Sequence, residues 1–578
     1  MPTLYVNVAT GNDARSYVTA QNPATPWATI GRASRGSAVY AANAAAAAQP
    51  GDTVEVAAGV YWETGSPTGG RWDVALSPAN SGTIGSPIRF LGIGSVYVRL
   101  VANVFGPSVG SNGRDNIIWE NFIVDDHYGG SKEDTGPVVL YNASYCQLLR
   151  CEVQGMGNAP GYHNYQHPQE GHIDIATNGN VTPTAGWATF FLYYAMQGRT
   201  IVAGGITYTI TADATSHSLM NVTPHPGSPL TNLTFTASAF GGNYRLVGLE
   251  QIDHCTIKNN RIHGSKLNAG GILAYDASDN IIEHNEVYDV SLGIYLKGRH
   301  DGFTMSNNII RYNYVHDNRQ IGIRTESTKI TLVHQNIVHG CPSGYYLGAF
   351  GPDRTRVINN LAYNCSESAF ELVEAAPANW SASTAYVLED RRYNGVNIYV
   401  CTTAGISAAS GGPTGTGTGI TDGSVVWDYS PYKIILNCEF KNNISQLCGI
   451  GYSSWTAGSP AEQQFTANYN MYRDINGSPA VAANFHGYAT GNFAAWRALG
   501  LDVNYSTADP LLVNPGAFDF HLQGGSPARN FGIGVYGVGG NDGGAVHAGP
   551  YITGNEVIGI EETIIVPAPL PVRQLRMR

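Results

Sequence analysis

Charged side chains are scarce in this sequence, and no segment gathers charge of one sign. Only 13% of the 578 residues are Asp, Glu, Lys or Arg, and 43 acidic against 32 basic residues give a formal charge of −11. No run of Lys or Arg occurs. Proteins that bind a nucleic-acid backbone need clustered cations, so we expect no nucleic-acid partner. With 43% hydrophobic residues, a disordered chain is excluded as well.

Long apolar runs and metal-binding motifs are also missing. No stretch approaches the roughly 18 apolar residues that span a membrane, so we expect no membrane partner. The opening MPTLYVNVATGND lacks a basic segment followed by an apolar one, so we expect no signal-directed export. The eight cysteines form no CxxC pair and no Cys/His zinc spacing, which predicts packing thiols and no metal centre.

One short phrase recurs through the middle of the chain. It reads IKNNRIH at 257–263 and IRYNYVH at 310–316, and its aligned asparagines return every 23 to 28 residues until a wide gap after the fifth. They are Asn260, Asn285, Asn313, Asn336, Asn360 and Asn443. A period of roughly 25 in short β-branched runs predicts the stacked coils of an all-β parallel β-helix, or solenoid. We expect each asparagine to occupy a left-handed corner and to hydrogen-bond to the asparagine one coil away.

Two segments interrupt the repeat and are predicted to be small inserted β-domains. The second carries three spaced aromatics, Trp380, Tyr399 and Trp427, which either stack on sugar rings or form the core of the module. The predicted division has six parts, which are an N-terminal cap with first coils (1–177), a first insertion (178–246), central coils (247–377), a second insertion (378–432), C-terminal coils with a cap (433–551) and a tail (552–578).

Both ends of the chain resemble a known group. LYVNVATGNDARSYVTAQNPATPWATIGRA near the start, QPGDTVEVAAGVYWE at 49–63 and ADPLLVNPGAFDFHLQGGSPARNFG at 508–532 are similar to right-handed parallel β-helix proteins of the pectate-lyase-like superfamily, especially family-nine polysaccharide lyases and related phage proteins. The acidic calcium cluster and catalytic-lysine context of the family-nine lyases have no close match. The insertion at 379–430 resembles small modules attached to phage fibres and to chitin- or glycan-binding enzymes.

A second phrase follows each asparagine phrase and predicts an exposed sheet face. Residues alternate between core and solvent along a strand. With Ile294 and its equivalents inward, two outward columns result, one of Leu273, Tyr295, Arg324, Tyr346 and Glu371, and one of Tyr275, Lys297, Glu326, Gly348 and Val373. We expect Asp174 to extend the first column, with His172 beside it.

The columns suit a polysaccharide, and two mechanisms stay open. Tyr275, Tyr295 and Tyr346, with His172 and the three module aromatics, are the predicted sugar-binding residues. In a lyase, Lys297 or Arg324 would remove the proton next to a uronate carboxylate. In a hydrolase, two of the carboxylates Glu326, Glu371 and Asp174 would act as acid and base, although strand geometry puts Glu326 and Glu371 about 12 Å apart.

Two acidic or histidine-rich segments are weaker candidates. GYHNYQHPQEGHID holds His163, His167 and Glu170 upstream of Asp174, without any metal-binding spacing, so we expect a hydrogen-bonded loop. VDDHYGGSKED at 124–134 can gather Ca²⁺ through carboxylate oxygens, which makes calcium a possible cofactor and otherwise none is expected.

Three functions fit these patterns. The first is a phage tail spike or fibre protein that binds a bacterial polysaccharide and in addition can cleave it. The second is a non-catalytic virion structural protein or adhesin, and the third is a secreted bacterial lyase or epimerase. A virion or extracellular location, a homotrimer and tail-protein partners bound through the C-terminal tail are the accompanying expectations.

Overall fold

The chain forms stacked coils of short parallel strands. The computed structural model describes residues 2–65, 73–100, 107–125, 136–155, 172–184, 200–216, 219–237, 245–264, 270–298, 305–348, 354–373, 379–388, 390–395, 397–430, 437–457, 465–474, 485–486, 493–539 and 543–561. Within them, no helix is long and apolar enough to cross a membrane. Each strand of a coil pairs in parallel with the equivalent strand of the next coil, and these pairs run from Thr3–Val6 to Tyr505–Ser506. The predicted parallel β-helix is confirmed.

One face of the coils is a sheet of ten parallel strands, which we call the ten-stranded sheet. Its strands are β1 (Val109–Asn112), β2 (Val138–Ser144), β3 (Arg245–Asp253), β4 (Gly270–Tyr275), β5 (Leu292–Lys297), β6 (Ile321–Glu326), β7 (Ser343–Gly348), β8 (Ser368–Val373), β9 (Ile450–Ala457) and β10 (Phe485–His486).

A larger sheet of 22 strands forms the remaining faces. Its strands are Thr3–Val6, Thr53–Glu63, Ile88–Leu100, Ile117–Glu120, Ile123–Asp125, Gln147–Leu149, Glu152–Gln154, Thr256–Lys258, Arg261–His263, Ile281–Glu283, Glu286–Tyr288, Ile309–Arg311, Tyr314–His316, Leu332–His334, Ile337–His339, Arg356–Ile358, Leu361–Tyr363, Cys438–Lys441, Ile444–Cys448, Phe465–Asn468, Asn470–Asp474 and Tyr505–Ser506.

The remaining elements are few and short. Helices span Ile30–Arg35 and Phe493–Ala498, with single 3-10 turns at Thr19–Gln21, Ala44–Ala46 and Pro515–Ala517. Three small strand pairs join Met305–Ser306 to Thr328–Lys329, Leu512–Asn514 to Asp519–Leu522, and Gly532–Ile533 to Ala545–Val546. Branched aliphatic side chains from successive coils, such as Ile257, Ile282 and Ile310, fill one continuous core.

The recurrent asparagines form a buried ladder, as predicted. The Nδ2 atom of each donates to Oδ1 of the next, from Asn260 to Asn285 at 3.0 Å and onward to Asn470. The backbone N–H of each donates to the same oxygen. Asp502 ends the ladder, because its Oδ1 accepts from Asn470 at 2.8 Å and needs to donate nothing further. Burial raises the pKa of Asp502, although Trp496 and Tyr472 also donate to it.

The prediction that the ladder asparagines adopt the left-handed conformation is wrong, because that conformation lies one residue earlier. The positive φ angles belong to the residue that precedes each ladder asparagine: Asn259, His284, Tyr312, Gln335, Asn359 and Asn442. The ladder asparagine therefore keeps an ordinary backbone and points its amide into the core, while the preceding residue turns the corner. Of these preceding residues, all but Tyr312 are buried as well.

Both insertions are antiparallel β-domains. The first is a closed barrel of His172–Ile175, Asn180–Pro183, Thr200–Ala203, Ile206–Ser216, Leu219–Thr223 and Leu230–Ala237, so its first described strand lies before residue 178. The second pairs Arg391–Asn394, Asn397–Thr403, Ile420–Asp422 and Val425–Ser430 in one sheet, and Ala385–Tyr386 with Gly405–Ile406 in another.

The described part of the C-terminal segment, residues 543–561, runs back along the corner of the coils. The backbone N–H of Gly549 donates to the Asn442 carbonyl at 2.7 Å, and that of Gly559 to the Tyr312 carbonyl at 2.7 Å. Glu561 reaches Asn259 through its N–H and Lys258 through its carboxylate, at 3.0 and 3.1 Å. This segment therefore bridges coils that are far apart in sequence.

Candidate functional site

Both predicted columns of the ten-stranded sheet are in register. Leu273, Tyr295, Arg324, Tyr346 and Glu371 are direct partners across β4 to β8. The second column pairs Tyr275, Lys297, Glu326, Gly348 and Val373 in the same way. Because the hydrophobic phrase fixes which residues face the core, it also fixes which face outward.

In β4 to β7, the second residue of each strand is a glycine, which precedes these columns. A Cβ atom on Gly293 would lie 2.4 Å from both the Gly322 carbonyl oxygen and Val315 Cγ1. Gly271 and Gly322 are equally crowded by the next coil. The close approach of the coils at this point leaves room only for glycine.

Arg324, Glu326 and Tyr295 form a hydrogen-bonded network at the centre of the face. Arg324 Nε donates to Glu326 Oε1 at 2.8 Å, Arg324 Nη2 donates to the same oxygen, and the Tyr295 hydroxyl donates to Glu326 Oε2. The guanidinium carbon lies 4.9 Å from the Tyr295 ring centroid and 4.5 Å from that of Tyr346. Arg324 is thus stacked between two rings and neutralised by Glu326.

The network fixes the protonation of its members. Burial and the neighbouring Glu326 carboxylate raise the pKa of Tyr295 far above its usual range. Burial lowers the pKa of Arg324, but Glu326 outweighs it and the net direction is upward. Tyr295 therefore stays a neutral donor and Arg324 stays a cation, so neither is suited to accept a proton.

Lys297 is the cation of the face without a carboxylate partner. Its Nζ lies 5.5 Å from the Tyr275 ring centroid, and in the described part of the chain no carboxylate oxygen comes within 4.0 Å of it. The Tyr275 ring is also 5.2 Å from the guanidinium of Arg245, a fully buried side chain whose Nη1 is 3.3 Å from Glu250. The Tyr275 ring thus has a cation near it on each of the two neighbouring strands.

A second polar cluster lies on β7 and β8, and the sequence reasoning missed one of its members. Ser343 Oγ donates to Glu371 Oε1 at 2.7 Å and lies 3.5 Å from Glu367 Oε2. Neither carboxylate has a cationic partner among the residues that the structure describes. Glu367 was overlooked because it lies in the turn before β8, outside the alternating phrase; its position four residues before Glu371 is the signal that marks it.

Several site predictions need correction. His172 and Asp174 do not extend the first column, because both belong to the first barrel, where Asp174 accepts from Thr184 Oγ1 at 2.7 Å. Leu273 and Tyr295 are buried instead of exposed. Glu326 is only 4% exposed and is held by Arg324 and Tyr295.

The geometry also separates the carboxylates expected for hydrolysis. Glu326 and Glu371 lie in different columns, with β7 between their strands. Strand spacing and this offset give a backbone separation of about 12 Å, beyond the range of a glycosidase pair.

Two of the three module aromatics are core residues. Tyr399 and Trp427 are fully buried, so their rings cannot stack on a sugar, and the sugar-binding role predicted for them is wrong. Trp380 is half-buried, and its Nε1 donates to Asp422 Oδ2 at 2.7 Å. Trp427 Nε1 donates to the same oxygen at 3.0 Å, so one carboxylate holds both indoles.

The metal candidates fall mostly outside the described residues. His163, His167 and Glu170 lie there, and so does the 124–134 loop beyond Asp125. Among the described side chains, no three His, Cys, Asp or Glu residues converge on a point that could hold a metal ion.

The coils, the ladder and the parallel register define a right-handed parallel β-helix protein. Residues 245–399, the central coils and the start of the second insertion, match the family model described as "Right handed beta helix region". No curated protein matches the sequence.

The chain is similar to several solved structures. They include pectate lyase Pel9A (TM-score 0.42, 11% identity, 95% of this chain and 96% of that one). The A-module of mannuronan C-5 epimerase AlgE6 from Azotobacter vinelandii scores 0.35 at 13% identity over 79% and 89%. The PL6 polysaccharide lyase Pedsa3628 from Pseudopedobacter saltans scores 0.37 at 11% over 80% and 90%.

Proposed function

We propose that this protein binds an acidic polysaccharide along the ten-stranded sheet and cleaves it by β-elimination. The observation that carries the proposal is the amine of Lys297, which has no carboxylate partner among the described residues and lies on the strand next to the ring-stacked guanidinium of Arg324. Half-buried rings of Tyr275 and Tyr346 flank the two cations. Rings of this kind pack on sugar faces, and cations of this kind bind uronate carboxylates.

Lys297 is the group suited to remove a proton. Once the Lys297 ammonium has released a proton to solvent, its amine would take the proton on the carbon next to the uronate carboxylate, and the electron pair of that C–H bond would form the new double bond. The C–O bond to the leaving sugar breaks in the same elimination, and that oxygen takes a proton from the Lys297 ammonium. Arg324 stays charged and would stabilise the negative charge that develops on the carboxylate.

A non-catalytic scaffold or adhesin is the second candidate, and the central network favours it. The groups of Arg324, Glu326 and Tyr295 satisfy one another, as residues that only stabilise a sheet face would. Under this alternative the face binds glycan without cutting it. Replacing Lys297 would then change affinity and leave no activity to lose.

The deciding experiment incubates the full-length protein with acidic polysaccharides and follows chain length and the absorbance of unsaturated uronate. Elimination predicts shorter chains with new absorbance, whereas hydrolysis predicts shorter chains without it. Lys297→Met should abolish the absorbance. Lys441→Met is the matched control, because Lys441 lies on the other sheet and is paired with Glu439 at 2.9 Å. Chains that elute bound but uncut would support the adhesin alternative.

We also propose that the protein acts as a phage tail spike or fibre, as a homotrimer attached to other tail proteins. The resemblance of residues 379–430 to modules attached to phage fibres supports this placement. Mass spectrometry of purified virions and light scattering of the isolated protein test it. Absence from virions would favour the secreted bacterial lyase or epimerase.

A further inference from the structure

The second column of the ten-stranded sheet has a gap on β7. Tyr275, Lys297 and Glu326 precede Gly348 in this column, and glycine contributes no side chain there. The ring of Tyr346, two residues earlier on the same strand, fills the gap. A Cβ atom on Gly348 would lie 2.5 Å from Tyr346 Cε1 and 2.9 Å from Tyr346 Cζ. The absent side chain therefore allows the Tyr346 ring to lean from the first column into the second.

The leaning ring carries a hydroxyl that makes no hydrogen bond to any residue that the structure describes. The hydroxyl of Tyr295, two strands away in the first column, instead donates to Glu326. The Tyr346 ring is half-buried, and the Arg324 guanidinium carbon lies 4.5 Å from its centroid. A tyrosine that is packed on one side and keeps its hydroxyl available offers a sugar both an apolar contact and a hydrogen bond.

The Tyr346 ring and Lys297 are about two sugar units apart. Lys297 and Gly348 lie in the same column with β6 between their strands, so their backbones are about 10 Å apart along the sheet. Neighbouring strands are about 5 Å apart, which is close to the length of one sugar unit. A glycan that follows the column therefore has one sugar at Lys297, the next over Glu326 and the third at the Tyr346 ring.

We infer that Tyr346 forms a distal sugar subsite, two units from the sugar at Lys297, and that Gly348 is the positioning residue that leaves room for the Tyr346 ring. This inference rests on the proposed function, because it presumes that an acidic glycan lies along the face. It adds a requirement for length: the protein recognises an acidic chain of at least three sugars, because a shorter fragment at Lys297 does not reach the ring.

The test compares the dissociation constants of oligogalacturonates of two and four sugars, with KM in place of the dissociation constant where an oligomer is cut. The wild type should bind the tetramer at least fivefold more tightly than the dimer. Tyr346→Ala should weaken the tetramer about fivefold, as expected for one ring contact, and leave the dimer unchanged. Tyr346→Phe keeps the ring, so its loss measures the hydroxyl alone. Tyr145→Ala is the control, because Tyr145 follows the end of β2 and stacks on His254.

Gly348→Ala tests the positioning role. The new Cβ atom would displace the Tyr346 ring, so the tetramer should again bind about fivefold more weakly, with the dimer unchanged. In the double variant with Tyr346→Ala, the loss should equal that of Tyr346→Ala alone, because the glycine acts through the ring. Melting temperatures check that each variant folds, since the new Cβ atom would also lie 2.9 Å from the Val373 carbonyl oxygen.

The outcomes separate the inference from the function beneath it. If Tyr346→Ala weakens dimer and tetramer alike, or changes neither, the distal subsite is overturned and the proposed function stands. A Gly348→Ala variant with normal melting temperature and normal tetramer affinity overturns the positioning role. If that variant does not fold, the two Tyr346 variants alone decide the inference. Failure of the wild type to bind either oligomer, repeated with alginate oligomers of the same lengths, overturns both the proposed function and the inference.

Discussion

Replacing Asn336 in the middle of the ladder should strongly destabilise the fold. Its Oδ1 accepts from the backbone N–H and the Nδ2 of Asn313, at 3.0 and 2.9 Å. Its Nδ2 donates to Ile310, His334 and Asn360. Asn336→Ala removes the acceptor of the Asn313 backbone N–H in a fully buried site and takes the Nδ2 donor away from three acceptors, and each buried group left unsatisfied costs about 1 to 3 kcal/mol. We expect a loss of about 4 kcal/mol in the free energy of unfolding.

The ladder also has a direction, which two reciprocal swaps examine. Asn336→Asp keeps the acceptor but removes the donors and buries a charge, so it should destabilise the fold nearly as much as alanine. Asp502→Asn should destabilise as well, because the new amide N–H groups would face donors from Trp496 and Tyr472. An amide and a carboxylate therefore cannot replace each other at these ladder positions without loss of stability.

Guanidinium unfolding, followed by tryptophan fluorescence and checked for reversibility, measures these losses. If unfolding proves irreversible, the unfolding rate replaces the equilibrium value. Asn22→Ala is the control, since the Asn22 side chain is exposed and its one side-chain hydrogen bond within the described ranges is accepted from the Ala24 N–H. The reasoning is refuted if Asn336→Ala costs no more than Asn22→Ala.

Three further predictions address the acid response, the second insertion and the C-terminal segment. Burial raises the pKa of Glu286, but His316 and Arg261 outweigh burial and lower it to about 2. The contribution of ionised Glu286 to the free energy of unfolding is therefore fully present above its usual pKa of 4.5 and is lost as the pH falls towards 2. The wild type should lose about 3 kcal/mol over that window in acid titrations of stability, and Glu286→Gln should lose less. Asp422→Ala frees both indoles of the second insertion, so hydrogen exchange should rise there and not in the coils. Deleting the chain from residue 543 onward should lower the melting temperature in calorimetry; an unchanged value would show that the corner contacts add nothing.

The repetitive part of the structure is what the sequence could predict. Coil spacing, the ladder and both columns follow from the hydrophobic phrase, because a register slip of one residue would turn its aliphatic side chains to solvent. The left-handed corner was displaced by one residue because Asn is favourable in that conformation and the preceding position varies among Asn, His, Tyr and Gln. The ladder asparagine and the residue before it are distinguished only by the direction of the side-chain amide, which the hydrogen bonds of the ladder show.

The errors lie where the repeat stops. Asp174 follows the same alternation as the coil strands, and nothing local distinguishes a barrel strand from a coil strand. The module aromatics carry the same signal whether exposed or buried, because both a sugar platform and a small core need large rings. The sequence also does not show which partner each carboxylate has. Glu326 is bound to Arg324 and Tyr295, and among the described residues Glu371 accepts from a serine; this difference depends on side-chain directions across coils.

That difference in partners decides what each carboxylate can do. Glu326 and Glu371 are one residue type on one face, two strands apart, and composition alone assigns them the same acid–base chemistry. Glu326 is desolvated and already compensated, so removing it would leave Arg324 unpaired and cost stability. In the part of the chain that the structure describes, one oxygen of Glu371 accepts no hydrogen bond and its charge has no cationic partner, so removing the charge should change glycan binding more than stability. A melting temperature that falls for Glu326→Gln and is unchanged for Glu371→Gln would therefore distinguish the carboxylate that stabilises the sheet from the one that is available to a bound glycan.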